Sequence, residues 1–148
     1  MAHSSPLQPG DAADLTEDVR RLFGELAEID GGLPPAYSGD YHPSLDVRET
    51  EHTIDVTVDV AGVPADAIRV LFRSGVVLIA GVKAPSPAPH LPVFHLVERE
   101  FGRFARAVRL TGAFDVTRAR ATLRDGELTI TFPKRPERRG VAHGIPIT

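Results

Sequence analysis

The stretch Ala119-Arg120-Ala121-Thr122-Leu123-Arg124-Asp125-Gly126-Glu127-Leu128-Thr129-Ile130-Thr131-Phe132 reads as two short strands folded about a two-residue turn. Asp-Gly between such runs is a strong signal for a type I′ hairpin. After the turn, Leu128, Ile130 and Phe132 face one way and Thr129 and Thr131 the other. That period-two alternation belongs to a half-buried strand.

The same pattern continues upstream. From Thr53 to Val60, Ile54, Val56, Val58 and Val60 alternate with Thr53, Asp55, Thr57 and Asp59 until Gly62-Val63-Pro64 breaks the run. Ile68 to Arg73 and Val76 to Ala80 make a further hairpin about Ser74-Gly75. Several short strands with turns at this spacing predict an all-β, immunoglobulin-like β-sandwich over residues 44–133. Between Gly81 and Phe94, Pro85, Pro87, Pro89 and Pro92 remove four backbone donors, so this loop is poor sheet material until about Val93.

Two extensions flank the sandwich. Residues 1–43 form an N-terminal arm whose opening dozen residues are small and polar, a composition that predicts disorder. A helix is predicted from about Asp14 to Ile29, because Leu15, Val19, Leu22, Phe23, Leu26 and Ile29 recur at helical spacing. Asp14 with Glu17 resembles a capping box, and Gly31-Gly32 with Pro34-Pro35 stop the helix. Its apolar stripe serves either as a face packed on the sandwich or as a sticky surface for assembly and for other proteins.

Residues 134–148 form a flexible tail in which Gly140 and Gly144 act as hinges before Ile145-Pro146-Ile147. In an extended chain the two isoleucines point to the same side. Pro146 fixes its own φ and pushes Ile145 into the extended region. The tail therefore ends in a pre-straightened, two-pronged plug that needs a groove on another subunit. Burying two such side chains gains about 3–6 kcal/mol gross, less the cost of ordering the tail. One plug is weak, and many acting together are strong.

Composition narrows the function further. The chain has 148 residues, 25% charged and 42% hydrophobic, as in a soluble globular protein. It has no cysteine, which excludes a disulfide framework and thiolate chemistry. No apolar run approaches the roughly 20 residues of a membrane span, and the start lacks a signal peptide's pattern, so the expected location is cytoplasmic. Net charge is −6 over residues 1–43, 0 over 44–133 and +3 over 134–148. The cluster Lys134, Arg135, Arg138, Arg139 is short and carries no aromatic residue, which is no nucleic-acid footprint. No nucleophile elbow, zinc-protease helix or phosphate loop is present. His3, His42, His52, His90, His95 and His143 are scattered, without ligand spacing. No enzyme activity, metal or other cofactor is expected.

Several stretches together carry a family resemblance. Ala121 to Leu128, closing at Phe132-Pro133-Lys134, resembles the A-x-x-x-[ND]-G-x-L…P-K signature of the small heat-shock proteins, the α-crystallin domain. Asp59-Val60-Ala61-Gly62-Val63 resembles that family's "PGV" turn, with Ala61 in place of the usual proline. Gly75 to Gly81 resembles its "G-x-L-x-I-x-G" strand, and Glu98 to Arg106 its "ER-x-x-G-x-F-x-R" segment. Thr111 follows Leu110 where "LP" is common, and Ile145-Pro146-Ile147 resembles the I-x-I anchor. The matches run in family order from about Tyr41 to Ile147, and the resemblance is to the bacterial type.

The resemblance implies an ATP-independent holdase that assembles from dimers into homo-oligomers, binds unfolding proteins and hands them to ATP-dependent chaperones downstream. It implies an anchor groove between the strand near Ile68, Val70 and Phe72 and the strand near Phe104, Val108 and Leu110. It implies a strand-exchanged dimer whose interface holds Arg106, Leu45 and Val47, with Leu91, Val93 and Phe94 from the Pro-rich loop. Only Leu91 to Leu96 are available there as the crossing strand. Arg106 interrupts an apolar face and so requires a carboxylate or carbonyl partner. The alternative is a monomeric β-sandwich module docking on one dedicated partner; a monomer's mass would favour it.

Overall fold

The computed structural model describes residues 4–5, 9–27, 41–86, 88 and 90–135. Among them the order is β1 (Ser4–Ser5), α1 (Pro9–Glu25), β2 (Leu45–Glu49), β3 (Thr53–Asp59), β4 (Ile68–Arg73), β5 (Val76–Lys83), β6 (Gly102–Leu110), β7 (Arg120–Arg124) and β8 (Glu127–Pro133). The strands form two antiparallel sheets, β1-β6-β5-β4 and β2-β3-β8-β7. Packed face to face, they make the expected β-sandwich.

Both predicted hairpins form. Ser74 and Gly75 have φ of 50° and 80°, Asp125 and Gly126 of 51° and 78°. Two successive positive φ angles define a type I′ turn, whose twist matches the strands it joins.

The alternating residues meet as predicted. Ile54, Val56 and Val58 of β3 and Leu128, Ile130 and Phe132 of β8 turn inward against Val77 and Ile79 of β5. Every residue of β5 is buried. Its outward side chains Leu78 and Ala80 lie under α1, against Leu15, Val19, Leu22 and Phe23. A strand with an unbroken apolar run is one covered on both faces, and α1 supplies the second cover.

The helix is displaced from its sequence-based bounds of 14–29. It opens at Pro9, a residue whose fixed φ suits a first helical turn. Asp14 therefore lies inside the helix rather than at its cap. The last turn tightens where the Leu26 N–H donates to both Leu22 O and Phe23 O, each at 3.2 Å. Ile29 lies outside the described residues.

β5 runs to Lys83, beyond the expected Ala80, because its ladder with β6 continues to the pair Lys83 and Gly102. The described residues between those two positions form no strand. The candidate crossing strand Leu91 to Leu96 is thus a loop in this single chain. Pro92 in its middle offers no N–H to a ladder.

Candidate functional site

The two sheets are stacked so that β6 lies beside the residues ahead of β2, and β4 lies over β8. On one side, Arg106 of β6 donates through Nη1 to Pro43 O at 2.7 Å, just ahead of β2. On the other, the Phe72 ring of β4 meets the rings of Phe114 and Phe132 at 5.7 and 5.9 Å. The edge strands β4 and β7 therefore flank one open side of the sandwich.

Side chains at that side point inward without being covered. Val70 lies between Ile68 and Phe72 on the core face of β4, yet it is 39% exposed. Ala121 pairs with Ile130 and Leu123 with Leu128, so both face the core as their partners do. Even so, Ala121 is exposed and Leu123 only half-buried. The result is an apolar seam with β4 on one wall and β7 on the other. Arg69, Arg73, Arg120 and Arg124 stand on the outward positions of the same strands.

This geometry corrects the groove read from sequence. Ile68, Val70 and Phe72 share the inward face of edge strand β4, with Val70 exposed between buried Ile68 and half-buried Phe72. Phe104, Val108 and Leu110 do not form the wall opposite them: they belong to β6, β5 stands between β6 and β4, and all three are buried in the core. The second wall is Ala121 and Leu123, which the sequence reading passed over. The weak alternation of Ala119, Ala121 and Leu123 was the available signal, since a small residue at an inward position leaves room.

The candidate dimer residues divide between two places. Leu45 and Val47 are half-buried on β2, the edge strand on the β6 side, and Arg106 is near them. Of the carboxylate or carbonyl partner that Arg106 requires, the structure supplies a carbonyl, the Pro43 O of its own chain. Leu91, Val93 and Phe94 stand exposed on the loop, with Leu96 and Val97. Contiguous apolar exposure of this kind marks an interaction surface.

The loop is rooted on aromatic rings. Lys83 Nζ lies 4.6 Å from the Tyr41 ring centre and 5.7 Å from that of Phe101, within cation–π range. Tyr41 donates its N–H to Arg103 O at 2.9 Å and its hydroxyl to Asp59 O at 3.0 Å, and meets Phe104 edge-on at 5.6 Å. Burial lowers the Lys83 pKa, Arg99 lowers it further, and Glu100 acts against both. Burial also raises that of Tyr41, with the charges of Asp59 and Glu100 adding to it.

The arm residues are seated rather than free. Leu22 and Leu26 are buried, and Leu15, Val19 and Phe23 pack beside them. Asp18 reaches Arg73 of β4 at 3.3 Å, and Glu25 reaches Arg69 at 3.2 Å. Of the two readings of the apolar stripe, the packed one describes this arrangement. Ile145, Pro146 and Ile147 lie outside the described residues.

Among the described residues no helix is long and apolar enough to cross a membrane, and no group of acidic and histidine side chains is placed to hold a metal ion.

Known proteins share this sandwich. The model of the Hsp20/alpha crystallin family matches residues 46–148. Spore protein SP21 of Stigmatella aurantiaca is 36% identical over 104 residues, 70% of this chain but 59% of that protein, so the chain spans less than two thirds of that relative. Heat shock protein 16 of Schizosaccharomyces pombe is 30% identical over 118 residues, covering 78% of this chain and 82% of that one. Among solved structures, heat shock protein 16.0 from Schizosaccharomyces pombe is similar with a TM-score of 0.59 at 29% identity, over 73% of this chain and 99% of the other. A small heat-shock protein from Xylella fastidiosa, described as having a distinct high order structure, has a TM-score of 0.63 at 24% identity, over 74% and 99%. The last likeness bears on the fold alone.

Proposed function

The chain belongs to the Hsp20/alpha crystallin family, whose members are chaperones, and on that premise we propose that it is an ATP-independent holdase working as a homo-oligomer built from dimers. The observation that carries this reading is the open seam: Val70 and Ala121 face the core and remain exposed. An inward apolar position left open on a folded domain suits an apolar insert. The two prongs Ile145 and Ile147 match it in chemistry and in their spacing along an extended strand.

The parts then divide the work. The sandwich, residues 44–133, carries the seam. The tail, residues 134–148, plugs the seam of another subunit. The β2 edge with Leu45 and Val47, the neighbouring Arg106, and Leu91, Val93 and Phe94 of the loop join two chains into the dimer. The arm, residues 1–43, keeps its apolar stripe on β5 until α1 lifts, whereupon Leu15, Val19, Leu22, Phe23 and Leu26 become available to unfolding proteins. Each plug is weak, so warming raises the population of dimers with open seams. Clients held this way pass to ATP-dependent chaperones in the cytoplasm.

The test is light-scattering mass together with suppression of client aggregation. Ile145→Ala with Ile147→Ala, and separately Val70→Asp, should each reduce a large assembly towards dimers. Equal masses for all three proteins would overturn the anchor reading. A native monomer that suppresses no aggregation would favour the single-partner module.

A further inference from the structure

The loop carries a second sequence of the tail's pattern. Leu91-Pro92-Val93 places two branched aliphatic side chains two positions apart about a proline, as Ile145-Pro146-Ile147 does. The same physics applies to both: Pro92 fixes its own φ and pushes Leu91 into the extended region, and the two prongs point to one side. Leu91 is 100% exposed and Val93 84%. We propose that Leu91-Pro92-Val93 is an internal anchor that seats in the β4–β7 seam of another copy of this chain, in competition with the tail.

Charge supports this occupant. Arg120 and Arg124 stand on the outward positions of β7 beside the seam, while Arg69 and Arg73 of β4 are paired with Glu25 and Asp18. The tail approaches it behind Arg138 and Arg139, which add positive charge beside Arg120 and Arg124, whereas Lys134 and Arg135 are paired with Glu49 and Asp115. The loop is followed by Glu98 and Glu100, both exposed, on either side of Arg99. From Val93 to Glu98 an extended chain spans about 17 Å, enough to run the length of a short edge strand. The loop joins β5 to β6, the two middle strands of their sheet.

The inference rests on reading the seam as the anchor groove. One loop cannot both join a dimer at β2 and fill a seam. Loops freed when dimers part would therefore occupy seams that tails have left, limiting the apolar surface on show.

The test is competition on the full chain carrying Ile145→Ala and Ile147→Ala, which vacates its seams of tails. A fluorescent peptide of residues 134–148 is bound, and unlabelled peptide 89–100 is added. The expected result is displacement with an affinity within about tenfold of the tail peptide's, stronger at low salt, and absent when the peptide carries Leu91→Ser and Val93→Ser. Val70→Asp or Ala121→Lys in the receptor should abolish binding of both peptides; each site is exposed, so either receptor can report. Tail binding without displacement overturns the loop anchor and leaves the tail anchor standing. Loop binding that survives both receptor variants also overturns it, because the loop then docks elsewhere. If neither peptide binds, the seam reading itself fails.

Discussion

Asp18 of α1 and Arg73 of β4 meet at 3.3 Å, with the Asp18 side chain buried and that of Arg73 half in solvent. Arg21 stands 3.6 Å from the same carboxylate oxygen. The pair fastens the arm to the edge strand that forms one wall of the seam. Its two ends are not equivalent. Arg73→Ala leaves a buried carboxylate short of its nearer partner, which should loosen α1 by up to about 1 kcal/mol, the half-exposed arginine limiting the loss. Asp18→Leu removes the charge altogether and adds to an apolar face, so it should hold or tighten the helix. Hydrogen exchange of the α1 amides separates the two, with faster exchange expected only for Arg73→Ala.

Gly81 is a point of close approach. A methyl group there would stand 2.6 Å from the Ala67 carbonyl oxygen and closer still to the Phe104 ring. Backbone on one side and a core ring on the other leave no flexible end to yield. Gly81→Ala should cost about 1–3 kcal/mol as overpacking, read as a lower urea midpoint with unchanged slope.

The two turns differ in how well their residues suit them. Asp125-Gly126 is a favoured type I′ pair, whereas Ser74 takes a φ of 50° with a side chain less suited to it than asparagine. Ser74→Asn should therefore raise stability by about 0.5 kcal/mol. Gly126→Ala should lower it by about 1 kcal/mol, since φ is +78° and the new methyl group would lie 3.2 Å from Ala61 Cα. Thermal unfolding of both variants checks the opposite signs.

Asp115 sets an acid limit. The Thr117 hydroxyl donates to its Oδ1 at 2.6 Å and the Thr117 N–H at 3.0 Å, with Arg135 at 3.5 Å. These contacts, the hydroxyl first, hold its pKa below the ordinary value against the effect of burial. A carboxylate with a depressed folded-state pKa contributes stability that is full above its unfolded pKa and lost as pH falls through the folded one. Asp115→Asn should thus melt at a lower temperature than the native chain at neutral pH and converge with it below about pH 4, as seen in melting curves across pH.

Much of this architecture was legible along the chain. The alternation around Asp125-Gly126 and Ser74-Gly75 located both hairpins, and β4 spans the same residues, Ile68 to Arg73, that the pattern marked. The need of Arg106 for a carboxylate or carbonyl partner was also legible. Its partner was not, because Pro43 lies 63 residues away in the chain. Similarly, the unbroken apolar run of β5 required a second cover, but nothing local named α1 as that cover.

The sequence by itself determined the main strands, their turns and the proline-centred prongs of the tail, since these follow from the period of side-chain direction and from the φ demands of proline and glycine. Only the tertiary structure decided which strands are edges. Phe104, Val108 and Leu110 face inward as Ile68, Val70 and Phe72 do, yet the first three are all buried while Val70 is exposed between buried Ile68 and half-buried Phe72. An inward-facing residue is covered or open according to what lies beyond its strand in the sheet, and that neighbour is set by long-range pairing rather than by any pattern within the strand.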